Sequence, residues 1–78
     1  MPPREGQPTA TVVQITCDSD LPPAEWAEFD GWDITSGRGT TVLRAHAVDQ
    51  AALHGALDRL ARLGLHVVEV SRRPEVGT

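Results

Sequence analysis

The sequence predicts an α+β domain of the ferredoxin-like βαββαβ type: a four-stranded antiparallel sheet with a short first helix and a long second helix on one face. Three observations carry this expectation. Val13, Ile15 and Cys17 alternate with polar neighbours in a β-branched run, as a half-buried strand does. Leu53, Ala56, Leu57, Leu60 and Leu63 recur at the spacing of one helix face. The chain has 78 residues, enough for one small core and no more.

Residues 1–8 hold Pro2, Pro3 and Pro8 beside Arg4 and Glu5, a composition too poor in apolar surface to order itself, so they are expected as a flexible tail. The domain is expected over 9–73 and a second tail over 74–78. Thr9 to Cys17 reads as the first strand. Asp18-Ser19-Asp20 breaks it, and Pro22-Pro23 presets the backbone for a short helix carrying Trp26 and Phe29 on one face, which Asp30-Gly31 ends. Trp32 to Ser36 and Thr40 to Val48 then read as a hairpin around Gly37-Arg38-Gly39. Asp49 is a good N-cap for a helix over Gln50 to Leu63, and Gly64 stands where a left-handed terminating residue belongs. Leu65 to Arg72 is the last strand.

In the ferredoxin-like order the third and fourth strands flank the first and the second lies at an edge. Strand parity then places Val13, Ile15, Trp32, Ile34, Leu43, Ala45, Val68 and Val70 beneath the helices. The opposite, open face would show Val12, Gln14, Thr16, Val42, Arg44, His46, Val67 and Glu69. That face is half apolar.

Net charge is −4 and the charges are segregated. Asp18, Asp20, Glu25, Glu28, Asp30 and Asp33 fall in one stretch without a cation, whereas Arg38, Arg44, Arg59, Arg62, Arg72 and Arg73 all follow it. An acidic balance argues against nucleic acid and against an anionic membrane surface, because both are held by clustered cations. The lone Cys17 allows no internal disulfide, and no apolar run approaches a membrane span or a signal peptide, so a cytoplasmic protein is expected.

Thr41-Val42-Leu43-Arg44, the run Val48-Asp49-Gln50-Ala51-Ala52-Leu53-His54-Gly55, Leu60, Leu63-Gly64-Leu65 and the stretch Val68 to Arg72 resemble a group of short, uncharacterised actinobacterial proteins. Trp26 and Phe29-Asp30-Gly31 match the same pattern. The resemblance implies the same fold and a bacterial origin, and it brings no catalytic residue with it.

Four constellations carry candidate chemistry. Cys17 ends the first strand where ferredoxin-like metal chaperones keep a Cys-x-x-Cys pair, but the second cysteine position is Asp20, a poor donor for a soft ion. Cys17 and His66 come to one edge of the sheet and His46 to the other, so no metal and no cofactor is expected. His54 and Asp58 are four apart on the long helix, a pairing able to exchange protons but also common on a solvated face; with His46 they are the polar-site candidates. Gly55 with Ala51 makes a small-residue patch that another backbone could approach. The central strands carry no aromatic side chain for stacking bases.

The expected function is a non-catalytic protein-interaction or regulatory module that self-associates as a homodimer or binds an unidentified protein. Val12, Val42, Arg44, Val67, Glu69, Ala51 and Gly55 are the interaction candidates. Arg44 and Glu69 could pair across a two-fold axis on the open face. A small-molecule-binding domain is the alternative, and an enzyme using His54 and Asp58 the last choice.

Overall fold

In the computed structural model, which describes residues 11–74, the β-branched run Thr11–Cys17 forms strand β1, with Val13, Ile15 and Cys17 all 0% exposed. Alternate burial is what one covered face imposes on a strand. Strands β2 (Asp33–Gly37) and β3 (Thr40–His46) form a hairpin, β3 pairs antiparallel with β1, and β4 (Val67–Pro74) pairs antiparallel with the other side of β1. The strand order is β2-β3-β1-β4. Helix α1 (Gln50–Arg62) follows β3 and drives Leu53, Ala56 and Leu60 into a core completed by Leu21, Phe29, Leu43 and Leu65. The expected tails, and the strand start at Thr9 and Ala10, lie outside the described residues, except that Pro74 closes β4.

The ferredoxin-like βαββαβ expectation is corrected at its first helix. Pro23–Phe29 winds as a 3₁₀ helix, led in by Pro22 at φ −60° and ψ 140°, with the Glu25 amide donating to the Pro22 carbonyl at 2.8 Å. The reason is local. Two prolines remove amide donors, no side chain caps the start, and Asp30 returns to extended backbone at ψ 133°, so a cooperative α-helix has no length in which to form. A 3₁₀ turn eclipses residues three apart, and Phe29 is buried while Trp26 packs against the core from the same side. The domain is therefore an antiparallel four-stranded sheet with one α-helix after its third strand, where two helices were expected.

α1 is fixed at both ends by its own sequence. The Asp49 carboxylate accepts from the Ala52 amide at 2.8 Å. At the other end Gly64 (φ +84°) lets the Leu65 amide reach back to the Leu60 carbonyl and its own amide to the Ala61 carbonyl, both at 3.0 Å, which satisfies two otherwise orphaned acceptors. Leu65 and Leu60 are then both buried in the core. The hairpin is as tight: Gly37 pairs with Thr40, leaving Arg38 and Gly39 at φ +56° and +82° as a type I′ turn.

β4 departs from simple parity. A register shift opposite Thr16 and Cys17 pairs Cys17 with Val67 while Ile15 still pairs with Val70, so Val67 and Val70 share the helix-side face and the bulge falls between them. Val67 was expected on the open face and Val68 beneath the helices; instead Val67 sits with Cys17, and Val68, at the bulge, is 60% exposed.

Candidate interaction surface

The loop after β1 is pinned to the hairpin by a directed chain of hydrogen bonds. The buried Thr41 hydroxyl donates to the Ser19 carbonyl at 2.6 Å, which leaves it only acceptor capacity toward Ser36 Oγ at 2.8 Å. Ser36 Oγ–H therefore donates to Thr41, and Ser36 Oγ accepts from the Leu21 amide at 2.7 Å. Asp20 adds a bond from the Gly39 amide (2.8 Å), and the Trp26 indole N–H donates to the Leu21 carbonyl (2.9 Å). These bonds make the acidic loop a rigid part of the hairpin's end. They also occupy Asp20, which stood at the second metal-chaperone position.

The open face of the sheet is more polar than parity suggested. Val12 and Val42 lie there half-buried, but Val67 has left it, and both Arg44 Nε and Nη2 bond Gln14 Oε1 within the same chain at 3.2 and 2.7 Å. Glu69 remains on that face and exposed. The small-residue patch is open as well: a Cβ built at Gly55 meets nothing within 4 Å, and Ala51 is exposed. Gly55 lines a hollow of about 180 Å³ with Trp32 and Arg59, and the neighbouring hollow of about 230 Å³ includes Trp32 and His46. A third, of about 220 Å³, lies between Glu25, Glu28, Arg59 and Arg62. Each is below the roughly 300–1,000 Å³ of pockets that enclose small molecules.

His54 and Asp58 are exposed and line none of these hollows; the Asp58 carboxylate pairs with Arg62 at 2.9 Å. Glu28 and Arg59 meet at 2.6 Å, so the acidic segment and the basic half of the chain neutralise each other in part across the 3₁₀ helix and α1. Cys17 is buried beside the start of β4, and burial pushes its thiol above the usual cysteine range. His66 is exposed, its carbonyl accepting from the Asp18 amide at 2.9 Å. Among the described residues no three His, Cys, Asp or Glu side chains gather to hold a metal ion, and no helix is long and apolar enough to cross a membrane.

Three of the four exposed large apolar residues among the described ones share one strand. Leu63 is 37% exposed, Val67 36%, Val68 60% and Val70 42%; the three valines stand on β4, an edge strand, whereas Leu63 caps α1 and lines the hollow beside Glu25 and Glu28. Sequence parity places Val68 and Val70 beneath the helices and leaves Val67 as the one exposed valine of β4, so it does not show the edge as a whole.

The model of a family described as a domain of unknown function, DUF8691, matches residues 12–71, from the second residue of β1 into the last turnless stretch of β4. The chain belongs to the DUF8691 family. Neither a curated protein nor a solved structure matches this DUF8691 chain. The family match spans the whole pinned loop, the 3₁₀ helix and α1, together with the Val67 to Val70 edge.

Proposed function

We propose that this DUF8691 domain is a non-catalytic interaction module that pairs with a second copy of itself in the cytoplasm. The observation that supports it is the gathering of Val67, Val68 and Val70 on one edge strand, whose outer side has no neighbour among the described residues and so also offers main-chain donors and acceptors. A 78-residue chain has a small core, and covering that edge adds apolar burial which the monomer lacks. The single buried thiol suits a reducing compartment. Sedimentation equilibrium across the micromolar range tests the reading. A concentration-dependent dimer is expected; a strict monomer at high micromolar concentration overturns it.

A further inference from the structure

The self-association reading above can be taken to a register. Two hydrogen bonds fix which way each strand residue directs its backbone. The Asp18 amide donates to the His66 carbonyl at 2.9 Å, and the Ala47 amide to the Thr11 carbonyl at 2.7 Å. Given the observed registers, Cys17 opposite Val67 and Val12 opposite His46 are both non-hydrogen-bonded pairs. Val12 and Gln14 therefore bond toward β4, and their partners Arg73 and Ser71 bond back. Val70 and Arg72 turn their N–H and C=O groups to the outer edge, which no other strand among the described residues covers.

We propose that a second copy of this chain adds its β4 antiparallel to this edge, about a two-fold axis at Ser71. A two-fold normal to the sheet opposes only residues of the same face. Centred on Ser71, it sets Val70 against the partner's Arg72 and Arg72 against the partner's Val70, so every outward-directed amide between the bulge and Pro74 is used, in roughly four hydrogen bonds. Centred on Val70, it would set Arg72 against the bulge at Val68, where the backbone phase is lost.

The side chains agree with that register. Glu69 and Arg73 flank Ser71 on the open face, both exposed, and each opposes the other across the axis, giving two ion pairs from one strand. No other partner is needed to explain a strand that carries both signs in this order. On the helix-side face the Arg72 stem, whose guanidinium already reaches Gln50 Oε1 at 2.6 Å, lies against the partner's exposed Val70. The bulge on one side and Pro74, with no amide hydrogen, on the other keep the ladder from sliding.

Charge reversal in the full chain tests the register separately from association. Glu69→Arg or Arg73→Glu alone should weaken the dimer about tenfold, and the double variant should restore it. Both positions are exposed, so folding, checked by circular dichroism, should not change. Ser71→Cys places two thiols at the axis and should give a disulfide-linked dimer under mild oxidation, whereas the wild type, its Cys17 0% exposed, should not. A dimer indifferent to both charge reversals and without the Ser71→Cys link overturns this register while leaving self-association standing. A wild-type monomer overturns both.

Discussion

Ser36 donates its hydroxyl proton to Thr41, and not the reverse, because the Thr41 proton is committed to the Ser19 carbonyl. The order Leu21 amide, Ser36, Thr41, Ser19 carbonyl leaves each buried polar group satisfied once, and removing either hydroxyl orphans its neighbours.

Thr41→Val keeps the shape and loses the relay. It should cost about 1–3 kcal/mol, with Ser36→Ala costing a similar amount, each through groups left unpaired. The double variant should cost less than the sum, because the second change removes a partner already lost. Urea denaturation of the three variants checks this; strict additivity would show that the hydroxyls act independently.

Gly55→Ala should stabilise the chain. The position is mid-helix and a Cβ there meets open space, so the substitution recovers about 0.5–1 kcal/mol of helix propensity and raises Tm by several degrees. Calorimetry measures the shift. A fall in Tm would mean that the patch around Gly55 is covered by something.

Arg38 and Ala47 both hold φ +56°, a conformation that costs an L-residue roughly 1–2 kcal/mol. Arg38→Asn, matched to the first position of a type I′ turn, and Ala47→Gly should each recover part of that cost and raise the urea midpoint. An unchanged or lower midpoint for Arg38→Asn would contradict the turn assignment.

Cys17 should make stability fall at alkaline pH. Its folded thiol ionises above the ordinary value of 9.0, because burial disfavours the thiolate. The contribution is fully present below that value. As pH rises through it the unfolded chain loses the proton and the folded one does not, so unfolding becomes easier until the folded thiol ionises too. Cys17→Ala should flatten this part of the pH–stability curve, and the native thiol should resist alkylation until the chain is denatured.

Much of the fold was legible because its signals were redundant. Asp49, the leucine spacing and Gly64 each point to the same helix, and the alternation through Val13, Ile15 and Cys17 is unambiguous. The 3₁₀ helix was not legible from Trp26 and Phe29, since a spacing of three suits either helix type and no further turn exists to decide between them. β4 failed for a related reason: Val67, Val68 and Val70 carry no polar marker to reveal where the phase slips, and a bulge changes faces without changing composition. The candidate site inherited that error. Glu69 was picked out for its charge, but Arg72 and Arg73 had no role until the direction of each backbone amide was known.

The register of β1 also orders events during synthesis. β1, read first by the ribosome, is the central strand that joins the hairpin to β4, and β4 is the last strand of the sheet to be made. The hairpin can dock on β1 as soon as β3 emerges, but the second flank of β1 stays an open template until Val67–Pro74 arrives. A chain that ended between α1 and β4 would thus present its most apolar strand as a free edge, and a truncation after Gly64 should aggregate under conditions where the full chain does not.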